Sequence, residues 1–263
     1  MTSIGAVIRR LSGWNELSWD KKRAIVAVLL SLFPISLPKL LRLFGSDKQF
    51  DHGHRYGGTY ARLFKKYRYK APNILEIGIL GGSSLLAWRA YFPFGRIIGC
   101  DIVDKSNLSA PGIKIYKLDQ SSQVDLENLV EREGEFHIII DDGSDLCEHQ
   151  IFSFNKLFDS VADGGTYIIE DIQTSYWNGK VGSATWDGAH IDNPAFANTC
   201  VGYFLRLATY LNYAEFTSMQ NVDMEMMHRA QTIRTIEFEH NLIIIHKGAN
   251  RDPSNLVGGG LKT

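Results

Sequence analysis

The stretch that decides the fold is "NILEIGILGGSSLLAW", residues 73–88, in which an Ile-rich apolar run leads through a glycine-rich turn into a second apolar run. The first run predicts a buried strand over 73–79, and the second predicts a helix over 83–92. Gly78, Gly81 and Gly82 let the backbone turn sharply and approach a ligand closely. Ser83 and Ser84 are suited to cap the helix that follows.

Further apolar runs of the same kind follow, most of them separated by helical patterns at 122–132 and 147–159. Such an alternation predicts a Rossmann-like α/β fold with a mostly parallel sheet covered on both faces. The last two runs meet at His240-Asn241, and a turn that short forces antiparallel pairing. The runs are "RIIGCDI" (96–102), "IKIYKL" (113–118), "FHIIID" (136–141), "GTYIIED" (165–171), "TIRTIEFEH" and "NLIIIHKG".

The chain is expected to have three parts. Residues 1–45 form a helical N-terminal extension, residues 46–250 form the main domain with a lid-like insertion at 178–199, and residues 251–263 form a mobile tail. The apolar stretch 24–44 is broken by prolines and is too short to span a membrane. We expect two short helices there that pack on the body or on a second copy, which predicts a homo-oligomer.

Composition narrows the class of protein. A chain of 263 residues with 44% hydrophobic residues is typical of a soluble globular protein. Its formal net charge of −1 provides no strong positive potential that would attract nucleic acid or an anionic membrane. The N-terminus has no secretory pattern. The three cysteines lie far apart without metal-ligand spacing, which predicts buried, reduced thiols in a cytoplasmic protein.

Acidic residues at successive strand ends predict a nucleotide-type site. Glu76 precedes the first glycine, where it disfavours a pyrophosphate and favours a cation or amine donor such as the sulfonium and ammonium groups of S-adenosylmethionine (SAM). Asp101 ends the second strand, which is the position of an acid that accepts hydrogen bonds from the ribose hydroxyls of a bound nucleotide. Asp119 ends the third strand beside Gln120, where an adenine edge could be read. Asp141 is expected to close the fourth strand beside the same pocket.

A second group of acids follows the fourth and fifth strands, in "DDGSD" and "EDIQTSYW". If these strands are neighbours, Asp142, Glu170 and Asp171 converge at one end of the sheet. Their mutual repulsion is relieved by a hard divalent cation, and Mg²⁺ prefers oxygen ligands. The sequence therefore predicts a magnesium site.

These motifs together resemble the Mg²⁺-dependent sugar O-methyltransferases of the macrocin and mycinamicin type, whose relatives methylate rhamnose or mannose units. The resemblance runs from about Ser46 to Lys247 and is densest at 74–102 and 138–177. It implies a SAM-dependent methyltransferase with a seven-stranded sheet whose last strand is antiparallel. It implies metal ligands at Asp142, Glu170 and Asp171, and an acceptor with vicinal hydroxyls on a glycosylated metabolite, glycolipid or polysaccharide.

One position departs from the family pattern. The family usually carries a histidine as general base three residues beyond the first metal ligand, and this chain carries Asp145 there. Asp145 and His149 are the candidates for the base, and His149 would share a helical face with Asp145. His54 and His52 are third candidates. Tyr56, Tyr176 and Trp177 are candidate substrate contacts.

Three other functions remain open at this point. A catechol-type acceptor ionises more easily and needs only a weak base such as Asp145. A non-catalytic relative would bind SAM without turnover. A nicotinamide dehydrogenase is disfavoured by Glu76 and by the lack of a G-x-G-x-x-G fingerprint.

Overall fold

The computed structural model describes residues 18–49 and 54–254, so His52 and residues 255–263 of the predicted tail lie outside the described part. The predicted α/β class is confirmed. The helices are α1 Trp19–Leu30, α2 Leu37–Phe44, α3 Gly57–Phe64, α4 Ser83–Tyr91, α5 Gln123–Glu133, α6 Cys147–Leu157, α7 Cys200–Tyr210 and α8 Met224–Ala230. The strands are β1 Asn73–Ile77, β2 Arg96–Asp101, β3 Ile113–Lys117, β4 Phe136–Asp141, β5 Val161–Glu170, β6 Asn178–Val181, β7 Ala184–Asp187, β8 Ile233–Glu239 and β9 Leu242–Lys247.

The main sheet has seven strands in the order β3-β2-β1-β4-β5-β9-β8. β4 pairs in parallel with β1 on one side and with β5 on the other, and β2 pairs in parallel with β3. β9 runs antiparallel to both β5 and β8, which confirms the predicted antiparallel last strand. The turn between β8 and β9 uses Asn241 at φ 59°, a left-handed conformation that asparagine tolerates.

The chain divides into two compact units, Met1–Asn73 with Ile79–Lys117 and Ile74–Gly78 with Leu118–Thr263. In the first unit, α1 and α2 pack on α4. Leu37, Leu40, Leu41 and Phe44 are buried. The two N-terminal helices therefore find a partner within their own chain, as one of the two predicted arrangements requires.

Helix α3 and the 3₁₀ turn that follows it at Lys65–Tyr67 also belong to the first unit and bury one side of their aromatic and apolar residues. Tyr60, Leu63, Phe64 and Tyr67 are all buried. The rings of Tyr60 and Phe64 lie 5.2 Å and 5.4 Å from the ring of Trp88, centroid to centroid, in edge-on arrangements. Such aromatic pairs add to the free energy gained by burial alone.

The second unit contains the predicted lid-like insertion. There the sequence predicted a long polar loop, but β6 and β7 form an antiparallel hairpin, followed by a 3₁₀ turn at Pro194–Asn198. Helix α7 then spans Cys200–Tyr210. The hairpin escaped prediction because its strands are mostly exposed and lack apolar alternation.

Two smaller expectations concern the membrane and the thiols. Within residues 18–49 and 54–254, no helix combines the length and the apolar character that crossing a bilayer requires. Cys100, Cys147 and Cys200 are buried thiols, as predicted.

Candidate metal and cofactor site

Three carboxylates gather where β4 and β5 end. The two strands are parallel neighbours, so Asp142 directly after β4 and Asp171 directly after β5 meet at one edge of the sheet. Asp145 joins them, and one oxygen of each side chain lies within 4.8 Å of the others. All three residues are half-buried. Carboxylate oxygens are the donors that a hard divalent cation prefers, so this group fits Mg²⁺.

Two of these acids, Asp145 and Asp171, have a backbone conformation that residues other than glycine rarely adopt. Asp145 has φ 58° and Asp171 has φ 54°, both in the left-handed region. Helix α6 begins only at Cys147, with Leu146 in an extended N-cap conformation. Asp145 therefore precedes the helix, and the prediction that it shares a helical face with His149 is wrong.

Glu170 occupies a different position from the other predicted metal ligands. It ends β5 and is only 2% exposed. Its backbone carbonyl accepts a hydrogen bond from the Gln150 side chain at 3.0 Å. Among the described residues, the group that could hold a cation contains Asp142, Asp145 and Asp171 and does not include Glu170. A metal-binding role for Glu170 stays a prediction.

Asp141 is the centre of a buried hydrogen-bond network. Tyr167 Oη and Gln120 Nε2 donate to its carboxylate at 3.1 Å each, and the Ser153 hydroxyl donates as well. Burial raises the pKa of Asp141 to about 6, although the three side-chain donors act in the opposite direction. The carboxylate thus joins β4, β5 and α6, and its predicted contact with a cofactor stays a prediction.

The loop that carries Asp142 is held by its own glycine and by Gln120. Ser144 N donates to Gln120 Oε1 at 2.7 Å, while Gln120 Nε2 donates to Asp141. A Cβ on Gly143 would lie 1.9 Å from Gln120 Oε1, so a larger residue there would have to displace the Gln120 amide. The oxygen and the nitrogen of the Gln120 amide thus each make a hydrogen bond inside the protein, and the predicted contact of Gln120 with adenine stays a prediction.

Gly78 is fixed by the same loop. It has φ 79°, and a Cβ there would lie 1.8 Å from the carbonyl oxygen of Asp142. Asp142 N in turn donates to the Ile77 carbonyl at 2.9 Å. The first glycine of the "EIG" motif thus permits a close backbone approach between the ends of β1 and β4. Glu76, two residues earlier, is 1% exposed.

His149 lies on the first turns of α6 and contacts the acidic loop through Ser144. Its Nδ1 lies 2.8 Å from Ser144 Oγ. Ser144 is exposed and His149 is half-buried, so the imidazole is both oriented by a hydroxyl and accessible. Because the contact with Ser144 orients the ring through Nδ1, the other ring nitrogen, Nε2, can exchange a proton with a ligand.

The two acids predicted to contact ribose and adenine are ionised and already hydrogen bonded. Asp101 accepts from Lys105 Nζ at 2.6 Å, Ile79 N and Val103 N. Burial alone would raise the pKa of Asp101, but the bonds from Lys105 and the two backbone amides lower it overall. In the other unit, hydrogen bonds from the Ser121 side chain and backbone lower the pKa of Asp119.

The glycine-rich turn ends differently from the prediction. Gly82, at φ 69°, is the N-cap of α4, and no side chain caps this helix. The prediction that Ser83 or Ser84 caps it is therefore wrong, because both serines already have helical conformation. Ser84 is buried. Gly81 has no atom within 4 Å of its would-be Cβ, so its backbone faces open space.

One residue that sequence reasoning missed fastens the lid-like hairpin. Asp187, at the end of β7, accepts hydrogen bonds from Cys147 N and Glu148 N at 2.9 Å each. It thereby caps α6 from about 40 residues away. Local spacing carries no sign of such a cap.

The predicted substrate contacts pack at the base of the hairpin or in the first unit. The ring centroids of Trp177 and Trp186 lie 5.5 Å apart, and those of Tyr176 and Phe196 lie 5.4 Å apart. Tyr176 remains 48% exposed, which leaves part of its ring free for a ligand. In the first unit, Tyr56 is buried and its hydroxyl lies 2.9 Å from His54 Nδ1.

Comparison with known proteins matches the predicted resemblance. No family model matches the chain. The chain is 35% identical over 213 residues to the 8-demethyl-8-alpha-L-rhamnosyl tetracenomycin-C 2'-O-methyltransferase of Streptomyces olivaceus, covering 78% of this chain and 53% of that protein. It is 33% identical over 222 residues to the mycinamicin VI 2''-O-methyltransferase of Micromonospora griseorubida, covering 82% of this chain and 52% of that protein.

A solved structure of a methyltransferase is also similar to this chain. The MycE methyltransferase from the mycinamycin biosynthetic pathway, in complex with Mg and SAH, superposes with a TM-score of 0.76 at 31% identity. The match covers 85% of this chain and 57% of MycE. The chain spans about half the length of the curated relatives it matches.

Proposed function

We propose that this chain, which is related in sequence and fold to the sugar O-methyltransferases of glycosylated natural products, is itself a SAM- and Mg²⁺-dependent enzyme that methylates a sugar hydroxyl. The observation that carries the proposal is the convergence of Asp142, Asp145 and Asp171 where two neighbouring parallel strands end. Its relatives named above are sugar O-methyltransferases, and MycE was solved with Mg and SAH.

The acidic group is the proposed metal site. Asp142 and Asp171 are two of the three ligands predicted from the sequence, and Asp145 lies close enough to serve as a third. Bound Mg²⁺ supplies positive charge that lowers the pKa of a sugar hydroxyl and fixes its position. The half-buried carboxylates hold that charge at the end of the sheet, where the ligands of open α/β sheets bind.

We assign the proton transfer to His149 rather than to Asp145. Asp145 lies inside the acidic group. A cation bound there would stabilise the ionised carboxylate of Asp145 and so make it a weaker base. The His149 ring is oriented by Ser144 Oγ at 2.8 Å and remains accessible. Imidazole is the commonest general base in enzymes, with typical contributions of about 10²–10⁴-fold in rate. The His149 ring would take the hydroxyl proton as the oxygen attacks the methyl carbon.

The remaining site residues keep the roles proposed from the sequence. Glu76 is assigned to the positive end of SAM and Asp101 to its ribose. Asp119 is assigned to the adenine, and Tyr176 with Trp177 to a face of the acceptor sugar. The exposed ring of Tyr176 and the low pKa of Asp101 and Asp119 are compatible with those roles.

A labelled-methyl assay tests the proposal. Purified protein is incubated with SAM and a panel of rhamnosylated and other glycosylated acceptors, with MgCl₂ or with EDTA. We expect transfer to a sugar acceptor that EDTA abolishes, and a loss of at least about 10²-fold in kcat for His149→Gln. Transfer to catechols alone, or transfer that is indifferent to EDTA, contradicts the proposal. Asp192→Asn, an exposed acid of the 178–199 insertion, is the matched control.

Self-association through the N-terminal helices also stays a proposal. It is supported by exposed apolar side chains on or between α1 and α2, namely Trp19, Leu32, Phe33 and Leu43. Light scattering coupled to gel filtration tests it with a Leu32→Ser/Phe33→Ser variant. A wild-type monomer at micromolar concentration contradicts it.

A further inference from the structure

The two units of the chain carry opposite charges. The first unit, Met1–Asn73 with Ile79–Lys117, contains 19 lysines and arginines and 6 acidic residues, a net charge of +13. The second unit contains 9 lysines and arginines and 23 acidic residues, a net charge of −14. Because the Debye length is only about 8 Å at physiological ionic strength, a partner responds to the charges that it touches rather than to the net charge of the whole chain. The first unit therefore has a strong positive potential, which the whole-chain charge of −1 does not show.

The positive charge is densest in the segment "RLFKKYRYK", residues 62–70, which contains five cationic residues and no acid. The sequence of the first unit has no acidic residue between Asp51 and Asp101, so this stretch carries no carboxylate of its own to neutralise the segment. The exposed side chains of the segment include those of Lys65, Lys66, Tyr69 and Lys70.

A second loop of the same unit lies against the end of this segment. Arg96, the first residue of β2, donates from its backbone N to the Pro72 carbonyl at 2.9 Å and from Nε to Asn73 Oδ1 at 3.1 Å. Phe94 in this second loop is 68% exposed, and Tyr69 in the segment is 66% exposed. The exposed residues of both loops together form a surface that we call the basic face, which consists of Lys65, Lys66, Tyr69, Lys70, Phe94 and Arg96.

Arg68 connects the basic face to the turn between α1 and α2. Its Nη2 donates to the carbonyl oxygens of Phe33 and Ile35 at 3.2 Å and 2.8 Å, and its guanidinium lies 4.6 Å from the centroid of the Tyr91 ring. The turn is therefore adjacent to the basic face, and Leu32 on that turn is 75% exposed. Exposed aromatic and aliphatic side chains beside a group of cations are typical of a protein surface that binds an anionic bilayer.

The aliphatic side chain distinguishes a lipid from a nucleic acid as the partner. Cations and aromatic rings suit both partners, because the rings stack on bases and also enter the headgroup region of a membrane. Leu32 has no ring to stack on a base, but its side chain gains free energy when it leaves water for the acyl chains of a lipid. The combination of charges and apolar groups therefore favours a lipid surface.

We propose that the basic face binds the anionic surface of a lipid bilayer, with the rings of Tyr69 and Phe94 entering the region between the headgroups and the acyl chains. The chain lies on the membrane in this arrangement and does not cross it. Such binding is independent of the proposed methyl transfer, since it uses only the charge and the exposed side chains of the first unit.

Flotation of the full chain with lipid vesicles tests the proposal. The vesicles consist of phosphatidylcholine alone or with about 30 mol% phosphatidylserine, in about 0.1 M or about 0.5 M NaCl. We expect the wild type to bind the phosphatidylserine vesicles at the lower salt concentration, and to bind about 10-fold more weakly at the higher one or without phosphatidylserine. A chain that does not bind the anionic vesicles, or that binds both lipids equally, contradicts the proposal.

A pair of charge variants locates the binding surface. Lys65→Gln/Lys70→Gln should weaken binding to the anionic vesicles by about 10–30-fold, at roughly fivefold for each cation near the membrane. The matched control is Lys21→Gln/Lys117→Gln, which removes two exposed cations of the same unit outside the basic face. Lys117 pairs with the last residue of β2, whereas the basic face contains the first. Equal losses in the two variants mean that only the overall charge matters, and that result overturns the assignment.

Tyr69→Ser/Phe94→Ser tests the apolar contribution with residues outside the set proposed for self-association. This variant should weaken binding to the anionic vesicles by about 10-fold, and unchanged binding contradicts the insertion of the two rings. Light scattering and titration with a single-stranded oligonucleotide identify other occupants of the basic face. A lower oligomeric mass of this variant with intact vesicle binding assigns the face to a second copy. Wild-type binding to the oligonucleotide but not to the vesicles assigns it to a nucleic acid, and either result overturns the proposal.

Discussion

Asp145→Asn is expected to stabilise the metal-free protein and to reduce its stabilisation by Mg²⁺. Asp142, Asp145 and Asp171 bring three negative charges within 4.8 Å of one another. At that distance a pair of like charges repels by about 0.9 kcal/mol at the dielectric constant of water and by about 3.5 kcal/mol at an effective value of 20. The substitution removes two such pairs. Asparagine tolerates the left-handed φ of 58° as aspartate does, so the change isolates the charge.

The structure sets the expected size of the effect. Because the three carboxylates are half-buried and each has other interaction partners, solvent and those partners offset part of the repulsion. We therefore expect a gain of about 1–2 kcal/mol in the free energy of unfolding in EDTA, which corresponds to about 2–8 °C in Tm. Saturating Mg²⁺ at 100 times its Kd should stabilise the wild type by about 2.7 kcal/mol, and a lost ligand reduces that gain.

Thermal unfolding in EDTA and in MgCl₂ measures both effects on the same two proteins. The metal should remove or reverse the advantage of Asp145→Asn. Asp192→Asn, which removes an exposed acid of the same unit, should match the wild type in both buffers. A lower Tm for Asp145→Asn in EDTA, or an equal upward shift of both proteins with Mg²⁺, would refute the reasoning.

Three further predictions concern the residues that hold the site. Asp187→Ala removes the cap of α6 and should lower the free energy of unfolding by about 1 kcal/mol. Amide hydrogens at the start of α6 should exchange faster in this variant, and unchanged exchange contradicts the capping role. Gly143→Ala forces the Gln120 amide away and should cost about 1–3 kcal/mol in urea unfolding, and a neutral result contradicts the packing described. Lys105→Met removes a contact that lowers the pKa of Asp101. A carboxyl with a lowered pKa stabilises the fold at neutral pH and loses that contribution as the pH falls through its pKa. The acid-unfolding midpoint of Lys105→Met should therefore lie at higher pH than that of the wild type. An unchanged midpoint refutes this prediction.

The elements that could be predicted are those whose local pattern matches their environment. Runs such as "FHIIID" are continuously apolar because both faces of a parallel strand are covered, and burial of Ile138, Ile139 and Ile140 agrees with that. The meeting of Asp142 and Asp171 followed from strand ends alone, since parallel neighbours end at the same edge of a sheet.

The features that escaped prediction depend on backbone conformation or on distant partners. Gly82 caps α4 because its left-handed φ starts the helix one residue before the serines that seemed suited to the role. Asp145 joins the acids because its own left-handed backbone places it before α6 rather than on it. Asp187 caps α6 across a gap in sequence that no local rule spans.

The pairing of β5 with β9 also decides how this chain can be made. Residues of β5 such as Tyr167, Ile168 and Ile169 hydrogen bond to a strand that begins only at Leu242, more than 70 residues later in synthesis. Until that strand leaves the ribosome, one side of β5 presents unpaired backbone groups next to an apolar surface, which is a template for association with another nascent chain. Any chain cut before Leu242 keeps this open edge permanently. Such fragments are therefore expected to aggregate even though they contain the whole acidic group, and domain boundaries for expression must include the C-terminal hairpin.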